Sequence, residues 1–229
     1  LYKRWLTFDG NETQYAFGDY NLTLSYKPNA NNVVTINGYF GNDNARYYAD
    51  SYQMQTQLKW SNYAVQCSWM HVARRQWNIE QSVFSSGYAN RFSLKEEALN
   101  FYLPSHIRTH GYHLRAENHH WSLGTEYLMH QVLPQSPQTT NSYYAPTIHT
   151  GETLNHELSA YAQYATTFAH NALQLSAGIR TCFFLSADKQ RYLRPSPQVK
   201  LAWRLSPEHK LTAHLSLSNQ FIHQAGFSS

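Results

Sequence analysis

The sequence has no long apolar run and contains little cysteine, glycine or proline. Its 229 residues include 2 Cys, 10 Gly and 8 Pro, and the mean hydropathy is -0.59. No stretch approaches the roughly 18 consecutive apolar residues of a transmembrane helix, and the composition is neither collagen-like nor disordered. Low hydropathy does not exclude a membrane β-barrel, because a membrane strand shows lipid only every second residue.

The spacing of the cysteines and the distribution of charge argue against further classes of protein. Cys67 and Cys182 lie far apart and fit no metal-binding or redox spacing, which favours small, partly buried side chains over a disulfide. The 18 Lys and Arg against 14 Asp and Glu give a net charge of +4. These basic residues are scattered singly, so nucleic acid is not an expected partner. Residues 1 to 5 lack the features of a secretory signal, so we expect a removed signal or a late start.

Apolar and polar side chains alternate along most of the chain, which is the pattern of two-sided β-strands. One such face carries Tyr20, Leu22, Leu24 and Tyr26. The alternation predicts strands over residues 13 to 27, 33 to 43, 53 to 72, 76 to 90, 99 to 116, 121 to 133, 152 to 168, 172 to 186, 193 to 205 and 210 to 224. Residues 1 to 8 end an earlier strand, and a change of phase near Ser61 and Asn62 predicts a β-bulge.

The predicted connections alternate between short and long. Short polar turns fall at 27 to 32, 73 to 75, 117 to 120, 169 to 171 and 206 to 209, and longer ones at 43 to 52, 90 to 98, 134 to 151 and 186 to 192. This is typical of an up-and-down barrel with short periplasmic turns and long external loops. A soluble sandwich or ligand-binding barrel remains an alternative, although its strands are usually nearer 5 or 6 residues.

Aromatic residues indicate two girdles of the kind that flank a lipid-facing band. One set lies beside the short turns and comprises Trp69, Trp77, Trp121 and Trp203. The other lies toward the long loops and comprises Tyr39, Phe40, Tyr88, Tyr127, Phe183 and Phe184. Aromatics are also good strand formers, so this pattern supports the membrane interpretation without proving it.

The sequence offers no catalytic or metal motif. Among 13 histidines, His106 and His110 share a strand face while His113 points away; polar residues facing a wet lumen are the preferred interpretation, and no metal site or cofactor is predicted. An enzymatic barrel needs a Ser/His or Asp/His constellation. Asp43 and Asp50 lie in one predicted loop, but no motif marks them as catalytic, so we expect no enzyme.

Three segments carry a family resemblance. Residues 195 to 220, with a proline-rich start and the W-x-L-S-P turn at 203 to 207, resemble a barrel hairpin of TonB-dependent receptors. Residues 37 to 43, NGYFGND, are similar to barrel strands of Bacteroidetes-type receptors, and residues 177 to 180 resemble the family's x-G-x-R strand. Together the resemblance spans most of residues 13 to 224.

The resemblance implies a 22-stranded barrel, filled by a plug domain, that imports a siderophore, haem, cobalamin or glycan through the TonB complex. This chain shows no recognisable plug, TonB-contacting segment or closing aromatic strand. We therefore predict an all-β fold: an antiparallel up-and-down meander of about ten long strands that forms an arc of a transmembrane β-barrel. Residues 1 to 229 form this single segment, a fragment of a bacterial outer-membrane receptor.

In this interpretation the expected partners are outer-membrane lipid, the plug domain, the TonB complex and an unknown small-molecule ligand. Ligand capture falls to loops, and the candidate residues are Tyr47, Tyr48, Asp50, Tyr143, Tyr144 and His149. The alternative from another class is a complete ten-stranded outer-membrane hydrolase, which requires its first and last strands to pair. The sequence leaves the ligand undefined.

Overall fold

The computed structural model describes residues 2 to 8, 11 to 96, 99 to 139, 151 to 169 and 172 to 219. Its strands are β1 (Tyr2–Phe8), β2 (Asn11–Asn29), β3 (Asn32–Ala49), β4 (Met54–Ala73), β5 (Trp77–Glu96), β6 (Leu99–Glu117), β7 (Trp121–Leu133), β8 (Gln138–Thr139), β9 (Thr153–Phe168), β10 (Leu173–Leu185), β11 (Arg191–Arg204) and β12 (Lys210–Ser216). Two single-turn 3₁₀ helices, Asp50–Tyr52 and Arg74–Gln76, complete the secondary structure of this part.

The strands form one antiparallel meander in the order β1 to β7 and then β9 to β12. The short strand β8 pairs with β6 beyond the point where β7 ends, so it prolongs the same ladder. Within the described residues β1 pairs only with β2 and β12 only with β11, which leaves the sheet open. The predicted all-β arc is confirmed.

Two of the four predicted long loops are mostly strand. β3 continues to Ala49 and β5 to Glu96. Residues 43 to 49 therefore pair with β2 and β4, and residues 90 to 96 pair with β4 and β6. The polar sequence of these segments suggested loops. A strand that is exposed to water on both faces needs no apolar side chains, however, provided that its backbone N–H and C=O groups are paired. Part of the third loop also pairs, as β8, and residues 140 to 150 lie outside the described residues.

The predicted bulge near Ser61 is wrong. The β3–β4 ladder runs without a break through Asn42↔Ser61 and Gly41↔Asn62. The phase of the sequence pattern changes here because the apolar side chains move from one face of the strand to the other, while the backbone register stays constant.

Cross-strand partners share a face, and following them across the sheet defines two continuous surfaces. One surface carries an apolar belt, represented on successive strands by Leu24, Ile36, Val65, Val83, Leu114, Leu123, Leu158, Ile179, Leu201 and Leu211. Most of these side chains are exposed, for example Leu24 at 55% and Ile179 at 48%. The four tryptophans predicted for the short-turn girdle all lie on this surface.

The opposite surface is polar at the level of the belt, and it is concave. Buried serine and asparagine side chains lie on it: Ser82, Ser105, Asn155 and Ser159. Arg180 on β10 donates to Glu126 on β7 at 2.9 Å, across the intervening strand β9. Gln198 likewise donates to Gln163 across β10 at 3.3 Å, and repeated contacts between next-but-one strands indicate that this surface curves toward itself. The apolar belt is therefore on the convex side.

This arrangement argues against the soluble barrel. The face with Leu173, Leu175, Ala177 and Ile179 would have to pack inward in such a protein, yet it points outward. In the described part, the buried apolar side chains are limited to Ala49, Val132, Phe184 and Ala202. An exposed apolar surface of this extent is far larger than that of a soluble monomer.

The belt has the dimensions of a lipid-facing band. Its large outward-facing side chains span Tyr20 to Tyr26 on β2, about 20 Å along the strand, and Leu173 to Leu185 on β10, about 40 Å. At a tilt of about 45° these lengths are roughly 14 and 28 Å along the membrane normal, against a band about 25 Å tall in outer-membrane barrels. It also runs obliquely across the sheet. The pairing row that contains Leu22 on β2 ends at Arg191, whereas the row of Leu215 on β12 starts at Trp121. Strands that tilt relative to the belt produce this slant.

The structure also tests the predictions about the two cysteines and about the second aromatic girdle. Cys67 is exposed and Cys182 is intermediate, and both are free, so the alternative of a disulfide is excluded and only Cys182 is partly buried. The second aromatic girdle is half wrong, since Tyr39, Tyr88 and Phe184 lie on the concave face. Neighbouring residues such as Phe183 and Phe184 point to opposite faces of a strand. In the described residues no helix is long and apolar enough to cross a membrane.

Candidate functional site

The strands β2 to β6 extend well past the belt. They are 18 to 20 residues long, whereas about 9–11 residues cross a bilayer. The excess of roughly 8 to 10 residues lies at the end opposite the short turns. It measures about 30 Å along the strands, or roughly 20 Å along the membrane normal at a tilt of about 45°. This protruding part is the candidate functional region.

In the protruding part the polarity of the two faces is exchanged. A row of mainly apolar side chains crosses the concave face from β2 to β6: Tyr15, Ala45, Leu58, Phe92 and Leu103. The adjacent row on the same face mixes aromatic and polar groups: Phe17, Asp43, Trp60, Asn90 and Ser105. We call these two rows the upper inner wall.

Ring contacts and hydrogen bonds order the upper inner wall. The ring of Tyr15 lies 5.8 Å from that of Phe17 and 6.4 Å from that of Trp60, which belongs to the next strand but one. The Tyr15 hydroxyl donates to the Asp43 carboxylate. That hydrogen bond, together with burial and the nearby acidic charges, raises the pKa of Tyr15. On the same wall, Ser105 Oγ donates to Asn90 Oδ1 at 2.8 Å.

The chemistry of this wall is that of a binding surface. Aromatic rings provide flat apolar area with little conformational freedom to lose. The carboxylate of Asp43 and the amide of Asn90 add fixed polar groups, and binding sites typically combine a few such groups with an apolar lining. The wall therefore suits a ligand that has flat apolar parts and hydrogen-bond donors.

The residues predicted from the sequence are only partly brought together. Tyr47, Tyr48 and Asp50 lie at the tip of the β3–β4 hairpin, but Tyr47 points to the concave face and Tyr48 to the convex face. Tyr48 donates to Gln53 Oε1 at 3.3 Å, and Gln53 in turn donates to the Asp50 carbonyl at 3.1 Å. The other three candidates, Tyr143, Tyr144 and His149, lie outside the described residues.

Sequence reasoning missed the upper inner wall because it treated residues 43 to 52 and 90 to 98 as loops. The signal was present in the change of phase on β4, where Leu58 and Trp60 precede Tyr63 and Val65. Taken as an exchange of faces, that change places Leu58 and Trp60 inside the curve of the sheet.

The histidines do not assemble a metal site in the part of the chain that the structure describes. As predicted, His106 and His110 share one face and His113 the other. His106 Nε2 donates to Glu152 Oε1 at 2.6 Å. This hydrogen bond, with smaller contributions from Gln131 and Arg108, lowers the pKa of Glu152.

Comparison with known proteins supports the fold. No protein-family profile and no curated protein sequence matches the chain. The ferric preacinetobactin receptor BauA from Acinetobacter baumannii superposes with a TM-score of 0.58 at 12% identity, over 93% of this chain and 41% of the receptor. The alcaligin outer-membrane receptor FauA from Bordetella pertussis gives a TM-score of 0.61 at 13% identity, over 89% of this chain and 35% of the receptor.

These similarities concern fold alone, because the identities are low. The chain spans about two fifths of the length of these two receptors or less. Strand order, curvature, the convex apolar belt and the superpositions agree on one conclusion: the chain has the fold of an arc of an outer-membrane β-barrel.

Proposed function

We propose that this chain is part of an outer-membrane receptor, related to the TonB-dependent receptors, that takes up a scarce ligand. The observation that supports this most is the protruding part, where aromatic side chains line the concave face directly above a lipid-facing belt. A barrel that serves only as a membrane anchor needs no such wall. The siderophore receptors with similar folds are consistent with the proposal but do not identify a ligand.

The proposal places the belt in the bilayer of the outer membrane and the protruding part on its external side. Strands that close the barrel, a plug domain and the contact with the TonB complex would come from the rest of a longer protein. Siderophores, haem, cobalamin and glycans are the candidate ligand classes. The upper inner wall binds ligand and performs no catalysis.

A complete barrel with hydrolase activity is the competing function. It requires β1 and β12 to pair, and in the described residues the path from β1 to β12 stays open. Asp43, an acidic residue considered for catalysis, accepts a hydrogen bond from Tyr15. Binding is therefore the better-supported function for this surface.

Ligand binding by the full-length protein tests the proposal. The probes are ferric catecholate and hydroxamate complexes, haem, cobalamin and a maltooligosaccharide. Each is titrated into the protein while intrinsic tryptophan fluorescence is measured, and we expect one of them to show saturable binding. Replacing Trp60 or Phe92 by Ala should raise its Kd by about 30-fold, because central aromatic contacts are typically worth about 2 kcal/mol.

Trp69→Ala is the matched control, since Trp69 lies on the convex face and is 41% exposed. It removes the same side chain from the opposite surface and should leave the Kd unchanged. Saturation by none of the probes, or an equal effect of Trp69→Ala and Trp60→Ala, would contradict the assignment of binding to the upper inner wall.

A further inference from the structure

The convex face changes character immediately beyond the apolar belt. Lys59, Arg91 and Arg108 lie on this face, because each is an even number of positions along its strand from a belt residue. Lys59 and Arg91 are direct cross-strand partners. Three cations on neighbouring strands therefore stand on the outside of the barrel wall.

These side chains surround a depression. Short side chains form its floor, at Ala16, Ser61 and Ala89, while the longer Lys59, Arg91, His106 and Arg108 rise around it. Its volume is about 650 Å³. We call this feature the basic depression. Asp43, Trp60, Asn90 and Ser105 of the upper inner wall also contribute to its lining, whereas the cationic side chains lie on the opposite face of the same strands.

Asp43 also lines the basic depression, but its carboxylate accepts a hydrogen bond from Tyr15, and no ion pair in the described residues joins it to a cation there. The salt bridges in the described residues are His106–Glu152, Arg115–Glu117 and Arg180–Glu126, and none includes Lys59 or Arg91. Glu152 is the acid that interacts with Arg108, and it already accepts the hydrogen bond from His106. Like charges placed directly opposite each other destabilise a sheet. The Lys59–Arg91 pair therefore favours an external anion.

The basic depression extends from the edge of the belt, where Arg108 shares the pairing row of Tyr63, to Lys59 at the outer limit of the lipid headgroups. Tyr63 marks the edge of the belt on β4, and Lys59 lies four residues farther, about 13 Å along the strand. With a tilt of about 45° this is roughly 9 Å along the membrane normal. The polar region of each leaflet is about 5–8 Å thick, and Lys and Arg side chains bend back toward it over apolar stems.

We propose that the basic depression binds the anionic phosphate groups of membrane-lipid headgroups in the leaflet around the protruding part. Guanidinium and ammonium groups form charge-assisted hydrogen bonds to phosphate, and the small floor residues let the headgroup approach the strands. The inference rests on the membrane position of the belt, which belongs to the proposed function, and is independent of ligand uptake.

Lipid retention by the full-length protein tests this proposal. The protein is purified in neutral detergent and mixed with phosphatidic acid or with phosphatidylcholine of the same acyl chains. Native mass spectrometry then counts the lipids retained. We expect phosphatidic acid to be retained selectively, and the triple variant Lys59→Gln/Arg91→Gln/Arg108→Gln to bind it on the order of 10- to 100-fold more weakly, since each basic residue near a lipid surface contributes modestly.

The matched control is Lys200→Gln/Arg204→Gln/Lys210→Gln, which removes the same charge from the concave face near the short turns. It should retain phosphatidic acid as the unchanged protein does. Equal retention by both triple variants would overturn the proposal, as would displacement of the lipid by an equal concentration of inorganic phosphate. Circular dichroism verifies folding, and Arg91→Gln alone replaces the triple variant if the latter does not fold. Its retention should fall several-fold, and unchanged retention would overturn the proposal.

Intact ligand binding in the Lys59/Arg91/Arg108 variant separates this proposal from the uptake function. Loss of lipid retention together with normal binding of the saturating probe supports the lipid site. Loss of probe binding in the same variant would contradict the assignment of the aromatic wall and the cationic side chains to opposite faces.

Discussion

The belt and the protruding part of β2 to β6 use the same alternation with opposite results. Within the belt, Leu24 and Val65 face outward and polar residues face the lumen. In the protruding part, Leu58 and Phe92 face inward while Lys59 and Arg91 face outward. Contact with lipid favours apolar side chains on the convex face of the belt, whereas contact with water favours polar side chains on the convex face of the protruding part. The exchange of faces therefore marks the edge of the apolar belt on β2 to β6.

Substitution by arginine should give the largest difference in folding free energy between the belt and the protruding part. Leu24→Arg places a charge on the convex face of the belt and should cost about 2–4 kcal/mol of folding free energy in a bilayer, as charges on the lipid face of barrels do. Leu58→Arg adds the same charge to the protruding part, where Leu58 is 42% exposed, and should cost far less. Urea titrations of folding into lipid vesicles measure both, and equal costs would remove the distinction.

Packing against glycine should distinguish two positions in the sheet, Gly124 and Gly38. A Cβ at Gly124 would overlap the ring of Tyr161, whereas a Cβ at Gly38 would meet only Leu22, at 4.0 Å. Gly124→Ala should therefore lower stability by about 1–3 kcal/mol through overpacking. Gly38→Ala should be neutral or slightly stabilising, because alanine loses less chain entropy in a strand. The same urea titrations test this pair, and similar losses would contradict the close packing of Tyr161 over Gly124.

The smallest expected effect concerns charge in the protruding part. The hydrogen bond from His106 lowers the pKa of Glu152, so this carboxylate stabilises the fold above its unfolded pKa. That contribution disappears as the pH falls through the lowered pKa. As the pH is lowered from 6 to 3, the melting temperature of the unchanged protein should fall more steeply than that of Glu152→Gln. Parallel curves would show that the pair contributes nothing measurable, as is common for exposed pairs.

Much of the fold was predictable from residue patterns, and the site was not. The period of two identified the strands and nearly all the turns, because side chains must alternate across a pleated backbone. It failed at residues 43 to 49, where both faces are wet and the pattern resembles a loop. The candidate residues Tyr47 and Tyr48 were found by composition, yet adjacent residues on a strand cannot share a face. Phe92 was overlooked because residues 90 to 98 were predicted as a loop, and Trp60 because the change of phase on β4 was interpreted as a bulge.

The sequence by itself determined that the chain forms long antiparallel strands with one apolar side, since alternation and turn positions are local properties. Only the tertiary structure decided which side is convex. Curvature depends on register across many strands, which brings Arg180 to Glu126 and Tyr15 to Trp60 over an intervening strand. That non-local information distinguishes a lipid-facing belt from a soluble core, and it places the aromatic wall and the cationic side chains of the basic depression on opposite faces of the same strands.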